Sequence, residues 1–326
     1  PERTKSYEVG INARFLNGRI SFDGTFYQSN TYNQTFLSVM SPATGYSGFY
    51  VQAGNVRNRG VEMTLGYNDT FGKVNYSTHL TYTANQNKIV EMVHDYRNPI
   101  DNSLVNITEL TLKEVGDVYL REGYSMSDVF TTGILQRGRD GKLVEEGNGY
   151  QVDRSQRIRL GSADPDFTMG WRHDINYKNI SLGLMITGRF GGIVTSQTQA
   201  FMDAFGVSKV SAEARDNGGV MLDGHRYDAE RYYNTVGGQG LMSYYTYDAT
   251  NVRLQELSLT YSLPKKWLGD VFNNATISFV GRNLFMFYRK APFDPDMNGS
   301  TGTYNRSDFF MAPSLRNLGF SIKFSL

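Results

Sequence analysis

A chain of 326 residues has room for two domains or for one large barrel. Its 33 Lys and Arg against 32 Asp and Glu leave a formal charge of +1, too weak a field to hold nucleic acid. Cysteine is absent, which excludes disulfide frameworks, thiolate metal sites and Cys nucleophiles together. With a mean hydropathy of −0.43 and no apolar run approaching the roughly 18 residues of a spanning helix, the sequence excludes a helical membrane span. A membrane barrel stays open, because a spanning strand shows lipid only every second residue.

The chain opens Pro1-Glu2-Arg3, with no initiator Met, leader or cleavage site, and reads as a fragment or processed piece. In Tyr7, Val9, Ile11, Ala13 and Phe15 every second residue is apolar, while Glu8, Asn12 and Arg14 fill the other face. Asn17-Gly18 follows, a pair that tolerates positive φ at both central turn positions, and Ile20, Phe22 and Phe26 resume the alternation beyond it. The unit recurs. Val61 to Tyr67 turns through Phe71-Gly72-Lys73 into Val74 to Tyr82, Phe167 to Tyr177 turns through Lys178-Asn179 into Ile180 to Phe190, and Leu257 to Leu263 pairs with Ile277 to Phe287. The final strand runs from Leu318 to Leu326. These make about nine strands of about ten or more residues, long for a soluble sheet and suited to a tilted spanning strand.

Short and long connections alternate. The long ones are 31–56, 87–164, 193–250 and 289–312, which matches short periplasmic turns and long extracellular loops. Tyr27, Tyr32, Tyr46, Phe49, Tyr50, Tyr82 and Phe287-Tyr288 are expected at the outer headgroup level. Arg139-Asp140-Gly141 predicts a small hairpin inside the second long loop, 200–215 a short helix, and the parity flip at Gln255-Glu256 a bulge.

Five segments then carry a resemblance. Ser6 to Gly10, Gly54 to Glu62, Asn251 to Pro264 (NVRLQELSLTYSLP), Gly281-Arg282-Asn283-Leu284-Phe285 and the close from Pro313 to Leu326 resemble, in order and spacing, the C-terminal half of SusC/RagA-type TonB-dependent transporters of the Bacteroidetes outer membrane. The resemblance spans essentially the whole chain. It implies an all-β fold, an antiparallel transmembrane β-barrel of 22 strands with an N-terminal plug, of which residues 1–326 are the C-terminal strands. It also implies energy coupling to TonB through an N-terminal region that this sequence does not contain, and capture of ligand by a SusD-like lipoprotein on the outside. The expected activity is uptake of an oligomeric nutrient, a glycan or peptide fragment, with no chemistry on it and no cofactor. A soluble or surface all-β carbohydrate-binding or adhesion module is the alternative, and an outer-membrane hydrolase a third reading.

Arg14, Glu62, Arg172, Arg189 and Arg282 fall on the polar parity of their strands and are candidates to face the lumen, where cross-strand pairing competes with ligand contact. Tyr124, Phe130, Tyr244, Tyr245 and Tyr247 lie in the long loops, where aromatic faces can stack on sugar rings or pack on a lid protein. Asp294-Pro295-Asp296-Met297-Asn298-Gly299 has the opening of a calcium loop, but Asn305 stands where the bidentate Glu belongs, so turn formation is the stronger reading. Asp164-Pro165-Asp166 is read as capping the entry to the fifth strand. His79, His94, His173 and His225 are too scattered for a metal motif, and no nucleophile elbow or P-loop appears. His79 shares a polar face, and His173 an apolar one.

Overall fold

The computed structural model describes residues 1–39, 43, 45–46, 48–97, 102–112, 118–268, 272–296 and 307–325. Nine long strands form a consecutive antiparallel meander: β1 (Arg3–Phe15), β2 (Ile20–Val39), β3 (Gly48–Phe71), β4 (Val74–Glu91), β5 (Phe167–Tyr177), β6 (Ile180–Phe190), β7 (Asn251–Ser262), β8 (Asn274–Arg289) and β9 (Asn317–Ser325). Two short strands, Glu109–Leu112 and Val118–Arg121, join this sheet where Ser38 meets Leu112. Leu326, expected to end the last strand, lies outside the described residues.

Turn chemistry sets the register. Leu16, Asn17 and Gly18 all take positive φ between β1 and β2, the left-handed geometry that matches the twist of a two-stranded ribbon. Gly72 and Lys178 take it at the next two short turns. Register then keeps the apolar parity aligned across all nine strands. One row runs Ile11, Gly24, Met63, Tyr82, Met169 and Gly188, and another runs Leu182, Leu259, Phe279 and Phe320. Where the parity of β7 flips, the ladder carries register shifts between Leu254 and Glu256 and, on β6, between Met185 and Ile186, so the expected bulge is present.

The side chains of this belt are exposed: Val9, Ile11, Met63, Leu65, Trp171, Leu259, Phe279, Phe320 and Ile322 are each at least 43% accessible. A soluble sheet would bury that face. Here it is the lipid surface of a membrane barrel, and the continuous exposed belt overturns the soluble-module reading. Tyr82, Phe167 and Phe190 stack together at the outer margin of the belt, with ring centroids 5.3 and 4.6 Å apart. Tyr67, Tyr76, Trp171 and His173 cluster toward the short-turn end, where the Tyr76 hydroxyl lies 2.7 Å from His173 Nδ1. His173 thus has a polar partner on an apolar face, at the level where interfacial rings sit. Tyr27 does not join the aromatic girdle: it takes the opposite parity to Phe26, bonds Asn85 at 3.2 Å, and its ring covers Gly60.

The compact cores lie outside the belt. β2, β3 and β4 run for 20, 24 and 18 residues, far beyond the 9 to 11 or so that cross a bilayer, so most of the expected loop 31–56 is strand. Their outer ends carry Phe36, Val56 and Ile89, which bury themselves against Met92, Leu110, Leu120 and Met126 of the loop 92–166. A second core joins Leu135, Leu143 and Tyr150 of that loop to Ala200, Tyr232, Tyr233, Val236 and Leu241 of the loop 191–250. The hairpin at Arg139-Asp140-Gly141 is present, closed by Gly138 N–H to the Lys142 carbonyl at 2.8 Å. The helix expected over 200–215 is two helices, α1 (Gln197–Ala204) and α2 (Lys209–Asp216), capped by Ser196 and Ser208, and a third, α3 (Ala229–Val236), is capped by Asp228. Each cap oxygen accepts from the amide three residues on, satisfying a donor the first turn leaves open.

Candidate functional site: the polar face and the outer cavity

The face opposite the belt is mainly polar, with Met185 of β6 and Val280 of β8 as apolar members. One row places Thr25, Glu62, Thr83, Thr168, Arg189 and Asn251 in line, and the row nearer the short turns places Ser21, Gly66, His79, Arg172, Met185 and Glu256. All five charged candidates, Arg14, Glu62, Arg172, Arg189 and Arg282, lie on this face. Three hold specific partners. Arg172 forks onto Asp174 with two bonds of 2.8 Å, Arg282 meets Glu256 at 2.9 Å across β7 and β8, and Arg189 donates to the Ala163 carbonyl at 2.5 Å. Arg14 stands opposite Ser21 on the edge strand, and Glu62 stands between Thr25 and Thr83. His79 shares the face, opposite Gly66 and Arg172.

Just beyond the Tyr82–Phe167–Phe190 cluster the polar face opens into a cavity of about 430 Å³, lined by Asn85, Asn87, Tyr124, Asp128, Arg159 and Asp164 among others. The Tyr124 ring packs edge-on against Phe130 with centroids 5.5 Å apart, and the guanidinium carbons of Arg121 and Arg159 stand 5.7 and 5.9 Å from its centroid. Asp128, 4% exposed, takes the Arg159 guanidinium at 2.7 Å and the Ser125 amide at 3.0 Å. That carboxylate raises the pKa of Arg159 further, fixing a cation at the cavity wall. Asn87 ties strand to loop, its side-chain oxygen accepting from the Met126 amide at 2.8 Å and its amide donating to Asn58 at 3.0 Å. Nothing in the sequence joined Asp128 to Arg159; the link is a loop pairing across 31 residues.

The other three aromatic candidates serve the loop core. Tyr244 accepts the Leu135 amide at 3.1 Å, and its ring packs against the second core. Tyr245 is 2% exposed, so it offers no face for stacking on a sugar, and burial raises its phenol pKa far above the ordinary value. Tyr247 packs edge-on with Phe293 at 5.4 Å, and its phenol is pushed up to about 12, first by burial and then by Asp203. Sequence parity had no means of separating these from Tyr124, because their burial comes from loops far apart in the chain.

The calcium-loop reading gives way to an ion cluster. Asp294 and Asp296 both spend their carboxylates on Arg253 of β7, at 2.9 and 2.6 Å, and Arg253 also bonds Asn251 at 3.2 Å. Burial works against the Asp294 charge, yet bonds from Ser314, the Asp296 amide and Arg253 outweigh it and hold its pKa low. Asn298, Gly299 and Asn305 lie outside the described residues, and among the described ones no cluster of His, Asp and Glu could hold a metal. Asp164-Pro165-Asp166 does stand at the entry to β5: the Asp166 amide bonds the Phe190 carbonyl at 2.9 Å, and Asp164 takes the Ser127 hydroxyl at 2.5 Å.

Residues 1–187, more than half of the chain, match the family model described as TonB dependent receptor-like, beta-barrel. TonB-dependent receptor P3 of Formosa agariphila is 26% identical over 99% of this chain, and TonB-dependent receptor P26 of the same organism is 25% identical over 90%. Among solved structures, the RagAB peptide transporter superposes with a TM-score of 0.69 over 99% of this chain at 16% identity, a likeness of fold. The chain spans about a third of the length of each of these proteins: 34%, 31% and 35%. With its aligned apolar belt, polar inner face and folded outer loops, the chain belongs to the TonB-dependent receptor β-barrel family of the outer membrane.

Proposed function

We propose that this chain is part of an importer that brings an oligomeric nutrient, a glycan or peptide fragment, through the outer membrane. The observation that carries the reading is the two-faced sheet: a lipid belt on one side and, on the other, rows rich in Thr, Ser and Asn in which Arg172 is paired with Asp174 and Arg282 with Glu256. Such a lining wets a passage without holding an oligomer too tightly at any one point. Receptors of this family transport rather than transform their ligands, and the reading assigns this chain the same role.

A SusD-like lipoprotein is the partner proposed for the outer loops, and TonB, acting through the N-terminal region of the intact protein, the source of energy. The buried cores of the loops 92–166 and 191–250 support the first assignment, because they give the outer loops a folded form on which a partner can rest. The test is a detergent extraction of the intact protein followed by mass spectrometry of what co-purifies. A co-purifying lipoprotein with a heat-modifiable barrel is expected; a monomer that needs no detergent would remove the reading.

A further inference from the structure

The cavity beside β4 contains a bare strand edge. On the β5 side, the β4 ladder stops at Thr83 opposite Thr168, although β4 continues to Glu91. The cause lies in the Asp164-Pro165-Asp166 entry: Pro165 has no N–H to offer, and Asp166 turns its own toward the Phe190 carbonyl, on the β6 side. Pairing on this edge resumes only at Ile89, which donates to the Tyr124 carbonyl at 2.8 Å and accepts from the Gly123 amide at 2.8 Å.

In an antiparallel strand a residue's N–H and C=O point to the same side, and the side alternates along the chain. Ile89 points both toward the loop, so Asn87 and Asn85 point theirs into the cavity. Among the described residues neither main chain finds a partner there. Two donor–acceptor sets therefore stand open about 6.8 Å apart, the rise of two residues. The walls around them are Tyr124 and the charged Lys88, Asp128, Arg159 and Asp164.

We infer that this notch is a binding site for a short extended peptide, which adds to β4 as a strand of about three residues in register with Asn85 and Asn87. A polypeptide main chain presents a donor and an acceptor together every second residue, at the spacing the edge requires. A glycan presents hydroxyls with no such repeat. Charges of both signs on the walls suit peptides of mixed sequence, since main-chain bonds supply the affinity and no single side chain is demanded. The inference rests on the import reading and narrows its ligand to polypeptide at this site.

The test uses the intact detergent-solubilised protein and the pentapeptide Ala-Ser-Ala-Ser-Ala, with binding followed by calorimetry. Two N-methylated analogues are compared, one blocked at the first, third and fifth residues and one at the second and fourth. Only alternate amides face the edge, so one analogue is expected to lose about tenfold or more in affinity while the other stays within about twofold. Asn85→Pro, which removes a cavity-facing donor, is expected to reproduce the loss; the analogue comparison on the unaltered protein stands even if that variant fails to assemble. Equal behaviour of the two analogues, or no binding of the pentapeptide, overturns the site. Energised uptake of a labelled oligomer without alternate-amide dependence leaves the import reading standing and removes this one. Alternate-amide dependence without any energised uptake does the reverse.

Discussion

At Arg253 a guanidinium whose side chain is only 7% exposed sits between Asp294, at 2.9 Å, and Asp296, at 2.6 Å, and joins the outer end of β7 to the loop 290–316. Removing one partner of a buried pair leaves the other charge stranded in a poorly solvated site, at a cost of about 3–5 kcal/mol. Arg253→Ala is therefore expected to release this loop, read as accelerated protease cleavage within 290–316 while the heat-modifiable band of the intact barrel persists. His94 gives a pH-dependent case in the loop 92–166. Its Nε2 lies 2.7 Å from Glu122, and that bond raises the imidazole pKa above its ordinary value. On Glu122, burial opposes the charge, but bonds from His94 and the Met92 amide win and hold the carboxyl low. A raised His pKa means the pair's contribution is complete below about 6.5 and is lost as pH rises through the raised folded value. The lowered Glu pKa means its share is lost only in acid, as pH falls through that value. NMR titration should place the His94 midpoint above about 6.5, and Glu122→Gln should lower it; an unchanged midpoint would sever the link.

At the scale of the strand, a period of two decides everything about which face a residue serves, and this is why the sheet was legible from sequence. Alternation in Tyr7 to Phe15 and the positive-φ turn at Asn17-Gly18 fix a hairpin with local information alone. Leu65 and Thr64 of β3 are chain neighbours on opposite faces, Leu65 48% exposed toward lipid and Thr64 opposite Thr81 on the polar face. Arginine at a lipid-facing midplane site costs about 2–4 kcal/mol, whereas on the polar face it keeps its water. Leu65→Arg should thus lower the urea midpoint for loss of heat-modifiability clearly more than Thr64→Arg, and equal shifts would contradict the assignment of faces. The outer site was less legible, for a physical reason. Tyr124 and Tyr245 look alike as loop aromatics, and what separates them is a core assembled from Leu135, Val236 and Leu241, residues up to about a hundred positions apart. Asp294-Pro295-Asp296 reads from its own letters as a turn with the opening of a calcium loop, and neither reading reaches its counter-charge, Arg253, which lies 41 residues upstream on β7. Spacing rules capture what neighbours in sequence do, and neither of these contacts is of that kind.

Across the whole molecule, burial is inverted relative to a soluble protein: the sheet exposes its apolar residues, and the enclosed cores lie in the outer loops. The sheet is stabilised by its ladder and by lipid, while the loops are held by ordinary hydrophobic packing, so the two parts should fail independently. The second core is shared between the loops 92–166 and 191–250, with Val236 of α3, 1% exposed, packed in the same cluster as Leu135, Leu143 and Tyr150. A carboxylate there has no partner, and its desolvation costs several kcal/mol, more than a local core of this size can absorb. Val236→Asp is expected to raise hydrogen exchange in 135–150 and in 197–236 together, because neither loop can close its side of the core without the other. Protection in β3 to β7 should stay as it was, since no belt residue takes part in this core. The first core, built on Phe36, Val56 and Ile89, should also hold, keeping 118–126 protected. Loosening confined to 197–236 would mean that the two loops fold as separate bodies. Joint loosening would mean that 135–150 and 197–236 fold as one body, so that a ligand or partner touching either is felt by both.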